Sequence, residues 1–219
     1  MRPIVVHACA LLTVAACSSE STGGAPQPPA ATPAAAPVVL GTAADGLSAP
    51  TDLAFAPDGR LWVVNRATNG VVIYTSPGEA MQSAEARIDR YAEHFMMKPS
   101  GLAFGDDNRF ATCQESRDEW NDEPLPKPDD FMGPTLWSSD VNVFAKVGQL
   151  YPLLPGEKEG SHLDMLHESP LCMGIAHSAG QGNAFWVFDG LNGDLVMYDF
   201  AKDHGTPRTR RRRTARAKR

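Results

Sequence analysis

This 219-residue chain lacks several of the patterns that announce chemistry. Its four cysteines form no C-x-x-C pair, so the usual thiolate metal clip and the dithiol redox motif are both excluded. No Ser-His-Asp order, phosphate-cradling glycine loop or DNA-reading motif stands out. Its acidic segments lack the ligand spacing of an EF-hand. The apolar run at the N-terminus, Ile4 to Val14, is too short to cross a bilayer.

What that run does resemble is an export signal. Arg2 supplies a minimal positive region, and Val14-Ala15-Ala16-Cys17 resembles the lipobox of bacterial lipoproteins, in which cleavage before the cysteine leaves it lipid-modified. An ordinary secretory signal with an incidental cysteine is the competing reading. Residues 1–16 are therefore expected to be a signal peptide, Cys17 the lipidation site, and 17–38 a flexible tether of Ser, Thr, Gly, Ala, Pro and Gln. In the lipoprotein pattern Ser18 favours the outer membrane over the inner one. The expected location is the outer membrane or its periplasmic face, with the membrane as a partner through the lipid. Once Cys9 leaves with the signal, Cys113 and Cys172 remain. A disulfide between them is permitted outside the cytoplasm, and two separately buried thiols are the alternative.

A pattern that appears three times dominates the rest. Pro50-Thr51-Asp52-Leu53-Ala54-Phe55 is followed by Leu61-Trp62-Val63-Val64-Asn65, then Asn69-Gly70 and Val71 to Tyr74. Pro99 to Phe104 leads to Arg109-Phe110 at an offset of 49 residues. Pro170 to Ile175 leads to Phe185-Trp186-Val187-Phe188-Asp189, then Asn192-Gly193 and Leu195 to Tyr198. The first and third copies share a Trp-to-Tyr spacing of twelve. Repeats of about 40–50 residues made of short strands and turns indicate a propeller or a solenoid.

Each copy reads as a first strand, a turn, a second strand, a tight Asn-Gly hairpin and a third strand. For the fourth strand of the first copy, Met81, Ala84, Ile88, Tyr91 and Phe95 recur at helical spacing; a helical turn followed by a strand at Ala86–Tyr91 is expected, with an amphipathic helix over Glu79–Phe95 as the alternative. Between the second and third copies lies an acidic, proline-rich insertion, Glu115 to Pro134, read as a surface loop, with calcium binding as the alternative. Leu136-Trp137 and Val141–Lys146 then resume strand character.

Residues 208–219 hold eight of the 20 Lys and Arg, so the remaining twelve face 26 acids and the body is near −14. An exported protein gives such a tail little use for nucleic acid, and none is expected as a partner. CGA codons for Arg read GAC, Asp, one base along. The expectation is that 206–219 is a frameshifted or disordered basic tail and that 39–205 is a truncated part of a longer ring, since propellers close with about four to eight blades. The fold class expected is all-β: an incomplete propeller of about three four-stranded blades with an irregular acidic insertion.

The Pro-x-x-apolar-small-apolar strand, Trp-Val strand and Asn-Gly hairpin ending in Tyr resemble NHL-type β-propeller repeats over about Leu47–Phe200. They are also similar to the amidating-lyase and gluconolactonase-like propellers. That superfamily contains binding modules as well as enzymes, so its fold leaves function open. The lyase resemblance implies zinc held by histidines ahead of the first strands. His94 and His167 lie there, with His177 after the third copy's first strand, although the first copy offers Ser48 and the family's Pro-His pairs are absent. An exposed or hydrogen-bonded loop histidine is the plainer account of each. The lactonase resemblance implies acidic ligands for a divalent cation such as calcium, for which Asp52, Glu168 and Asp189 are candidates. Trp62 and Trp186 are expected in blade cores, whereas Trp120 and Trp137, with Glu168 and Asp189, are candidates for a ligand face. Taken together, the expected function is an envelope-anchored module binding a small molecule or protein. The alternative is a metal-dependent lyase or lactonase-type hydrolase acting in the channel.

Overall fold

The computed structural model describes residues 36–115, 119–120, 123–124, 133–148, 150, 160–169 and 171–200. The expected signal, Cys17, the tether to residue 35, most of the acidic insertion and the 206–219 tail lie outside them. The chain divides after Val38, and all of the sheet structure belongs to the part from Val39 on.

Among the described residues there are thirteen strands and no α-helix. β1 (Pro50–Phe55), β2 (Leu61–Asn65), β3 (Gly70–Thr75) and β4 (Ser83–Arg87) form an antiparallel sheet in that order. β5 (Pro99–Phe104) and β6 (Arg109–Gln114) begin the second sheet. A small hairpin, β7 (Glu119–Trp120) with β8 (Glu123–Pro124), interrupts it before β9 (Thr135–Ser138) and β10 (His162–Met165) complete it. β11 (Cys172–His177), β12 (Ala184–Asp189) and β13 (Asp194–Asp199) form the third, with three strands rather than four among the described residues. First strand lies beside first strand, β1 against β5 and β5 against β11. Successive antiparallel sheets meeting face to face around their first strands are blades, and the chain is an open arc of a β-propeller.

Alternation along each second strand explains the stacking. Trp62 and Val64 point into a cluster shared with Leu102, Phe110 and Trp137 of the second blade. Leu61 and Val63 point the other way, onto Tyr74 and Leu47. In the second blade Ala111, Cys113 and Leu136 face Phe185, Val187 and Tyr198 of the third. Every blade thus has two apolar faces, and each internal junction joins unlike faces of neighbours. Trp62 is fully buried with ring centroids 5.5 Å from Phe104, 5.0 Å from Phe110 and 5.4 Å from Phe144.

Polar ties reinforce the junctions. Thr51 Oγ1 donates to Pro99 O at 2.9 Å, and Ser100, one repeat later, donates to Cys172 O. Asp52 Oδ2 accepts from Leu102 N at 2.9 Å. Arg66 donates to Lys98 O at 3.0 Å and pairs with Glu115. A disulfide joins Cys113 at the end of β6 to Cys172 at the start of β11, with Cα atoms 5.0 Å apart.

Several expectations needed correction. Pro50 pairs with Asn65 and Pro99 with Gln114, but in the third blade Cys172, not Pro170, pairs with Asp189. A left-handed residue still precedes each proline: Ala49 (φ 48°), Lys98 (φ 45°) and Ser169 (φ 55°). The third unit therefore follows the repeat at its turn and slips by two residues before pairing begins. Two residues is one side-chain period, so every side chain keeps its face.

The fourth strand of the first blade is Ser83–Arg87, not Ala86–Tyr91, and the helical turn follows it at Glu93–Met96. Val141–Lys146 is a run of turns rather than a strand, begun by Asp140 accepting from Asn142 N at 2.8 Å, and it drives Phe144 into the core. The first Asn-Gly pair is not a two-residue hairpin either. Arg66–Thr68 forms a 3-10 turn and Asn69 takes the left-handed conformation, while Gly70 is needed because a Cβ would lie 2.3 Å from Arg87 O.

Candidate functional site

The first strands all start at one end of the arc, and there the second strands finish on polar side chains: Asn65, Gln114 and Asp189, all buried. A buried polar group must be hydrogen-bonded, and each of these is. Asn65 accepts from Ser48 N at 3.1 Å and donates to Gly46 O at 2.7 Å. Gln114 Nε2 donates to Thr135 Oγ1 at 2.9 Å and to Gly133 O. Asp189 accepts from Ser169 Oγ at 2.9 Å and from Asn192 Nδ2 at 2.8 Å, and its other oxygen accepts from the Leu191 and Asn192 amides, each at 3.1 Å. Burial alone would raise the Asp189 carboxyl. The hydrogen bonds from Asn192, Ser169 and the Leu191 amide outweigh it and hold the group below its ordinary value. Asp189, a candidate for the ligand face, thus faces its own loop.

Between β10 and β11 the chain presents His167 and Glu168, both exposed, between buried Leu166 and Ser169. This loop is pinned from both sides. Gly133 N donates to Leu166 O at 2.6 Å, and Leu166 N donates to Pro134 O at 3.0 Å. Ser169 Oγ lies 2.6 Å from the Tyr198 hydroxyl besides its bond to Asp189. Gly133 packs against the Glu168 backbone so closely that no Cβ fits there. The disulfide brackets the same region, tying β6 to the strand that follows the loop.

The candidate zinc ligands are distributed differently. His94 is half-buried on the Glu93–Met96 turn, its ring 4.0 Å from Phe95, and desolvation lowers its pKa to about 4. It is neutral at pH 7. His177 ends β11, its Nε2 2.7 Å from Gly182 O and 3.9 Å from Asp106 Oδ2. The six residues of β11 set His177 about 17 Å from the strand's start, at the other end from His167. Among the described residues no group of three or more His, Cys, Asp or Glu side chains is placed to hold a metal. Near the axis, Asp52 lies against Gly101, where a Cβ would stand 3.2 Å from its Oδ2 and 3.7 Å from Gly174 Cα. That carboxylate is occupied by the Leu53 and Leu102 amides.

The tryptophans reverse two expectations. Trp137 is fully buried and donates to Thr112 Oγ1 at 2.9 Å, so it belongs to the core and not to a ligand face. Trp186, expected in a core, is exposed. Trp120 lies in β7, with its side chain outside the described residues.

Sequence reading missed a buried cluster at the outer edge. Asp89 accepts from Ser161 N and Ser161 Oγ, both at 2.6 Å, and from Tyr91 N at 3.2 Å. Gly160 (φ 66°) leaves room for that carboxylate, since a Cβ would lie 2.5 Å away. Close by, Glu85, Arg87, Arg90 and Lys146 line a shallow cleft of about 240 Å³. Arg87 is committed there to Val141 O at 2.6 Å and to Glu85 at 2.7 Å. A buried aspartate next to Gly-Ser had no counterpart in the other copies to draw attention to it.

No family model and no curated protein matches the chain. A solved selenomethionine-substituted virginiamycin B lyase from Staphylococcus aureus is 11% identical with a TM-score of 0.33, covering 73% of this chain and 56% of that one. The chain thus spans about half the length of that lyase. The fold rests on the pairing, register and stacking of its own sheets.

Proposed function

We propose that this protein is an exported, lipid-anchored module that binds a ligand or protein at the cell envelope through the strand-start end of its blades. One observation carries the reading: His167 and Glu168 stand exposed on a loop fixed by backbone pairing, by Ser169 and by a disulfide. Exposed polar residues on a rigid loop are the usual form of a recognition surface. The buried polar groups beside them are consumed in holding that loop, which favours binding over bond-making. A disulfide accords with an oxidising compartment. The sequence from Glu115 to Asp130 carries seven acids against Arg117 and Lys127, so a partner meeting it would be basic.

The test uses the full-length chain expressed in a bacterium. Radiolabelled palmitate should enter the membrane fraction with it, and Cys17→Ser should abolish both label and membrane association. An oligolysine peptide should bind the purified chain, more weakly as salt is raised and several-fold more weakly with Glu168→Gln. Stoichiometric zinc, lost on His167→Ala, would sink the binding module in favour of the metal-dependent lyase or hydrolase.

A further inference from the structure

Each blade has two unlike apolar faces, and the two junctions inside the chain use one of each. At the first junction the face carrying Trp62 and Val64 lies on the second blade's face carrying Leu102, Phe104 and Phe110. Register makes the blades comparable residue by residue: Leu53 pairs with Val63, Leu102 with Thr112 and Ile175 with Val187. Trp186 therefore stands where Trp62 stands, Phe188 where Val64 does, and Leu195 where Val71 does. In the first blade those positions are sealed. In the third they are open: Trp186 is 40% exposed, Phe188 61% and Leu195 56%. At the other end of the arc Leu53 and Phe55, the counterparts of buried Leu102 and half-buried Phe104, are 56% and 61% exposed.

One terminal face thus copies the donor side of a blade junction, and Leu53 and Phe55 repeat the first-strand part of its receiver side, the second-strand part at Leu61 and Val63 lying under Leu47 of the same chain. Neither carries a charge among these residues. Even the tie between first strands follows suit. Thr51 and Ser100 donate to the next blade, but the third blade has Met173 at that position, exposed and apolar. Two arcs of the three described blades make six, within the range in which propellers close. A twofold axis would set the Trp186 face of each copy on the Leu53–Phe55 face of the other, using every open face once.

We propose that two copies of this chain associate head to tail and close a six-bladed ring, with Trp186 of each copy seated against Phe55 of its partner as Trp62 is seated against Phe104. The ring covers Trp186 and Phe188 of each copy with Leu53 and Phe55 of the other and places the axis residues of both copies around one channel.

Sedimentation of the intact full-length chain across the micromolar range should show a monomer–dimer equilibrium, with tryptophan emission shifting red on dilution as Trp186 meets water. Trp186→Lys and Phe55→Glu should each weaken association roughly tenfold or more, with Phe188→Lys as an independent check. All three side chains are exposed in the single copy, so the variants should melt as the parent does when dilute. Mixing Trp186→Lys with Phe55→Glu should restore a dimer, because one junction then pairs Lys with Glu and the other is unaltered. Monomers at every concentration, open chains of three or more copies, dimers indifferent to these substitutions, or a mixture that fails to recombine would each overturn the proposal.

Discussion

Trp62 and Trp186 hold the same place in two blades and live in opposite surroundings. One is fully enclosed by Phe104, Phe110 and Phe144; the other is open to solvent. Local sequence is alike, with Trp-Val on a second strand and Tyr twelve residues on. What differs is whether a described blade covers the ring. Burial in this architecture is a property of the neighbour, as expected where each repeat contacts only the units beside it.

The widest contrast should come from truncating the two rings. Trp62→Ala should lower unfolding stability by roughly 3–5 kcal/mol, as deletion of a buried aromatic does. Trp186→Ala, measured in urea at concentrations too low for association, should stay within about 0.5 kcal/mol of the parent, as exposed substitutions usually do. Equal losses would mean that the two faces are equivalently covered in solution.

A second contrast lies between the two internal junctions. The first is held by packing, a hydroxyl bond and the Arg66–Glu115 pair, whereas the second has a covalent bond as well. Replacing Cys113 and Cys172 with Ser should lower stability by roughly 2–4 kcal/mol, by releasing a long loop in the unfolded chain. Limited proteolysis should then release the third blade before the first. Prior loss of the first blade would reverse the ranking of the junctions.

A third contrast is the response of the first junction to acid. His94 abuts Phe95, a member of that junction's core, and burial lowers its pKa from 6.5 to about 4. In this window the unfolded chain binds the proton and the folded chain does not. Stability from the neutral ring is full above pH 6.5 and is lost as the pH falls toward 4. His94→Gln should flatten the melting temperature across that window, and an unchanged slope would place the titration elsewhere.

The blades were legible because strand alternation and a repeated proline mark them in any order of reading. The equivalence of Asn65 and Asp189 was visible too, and Gln114 follows from the 49-residue offset. Other features were hidden for physical reasons. β10 reads His-Leu-Asp-Met, polar in half its positions, and its buried His162 and Asp164 give no apolar signal. Val141 and Val143 look like a strand, yet Asp140 bonds the Asn142 amide and starts a turn. A two-residue slip before Cys172 leaves faces unchanged, so no hydrophobic pattern could report it. The candidate site fared less well. Trp137 and Trp186 exchanged surroundings because exposure depended on which blade had a neighbour.

The Cys113–Cys172 bond spans 59 residues, and the whole acidic insertion lies inside that span. A protease cutting after Arg117 or Lys127 would therefore leave two pieces that still travel as one until a reductant is added. Segments of different length could be spliced between those cysteines with their ends held in register by the surrounding bond. The cystine makes the insertion an exchangeable cassette, whose sequence can vary while the framework stays sewn together.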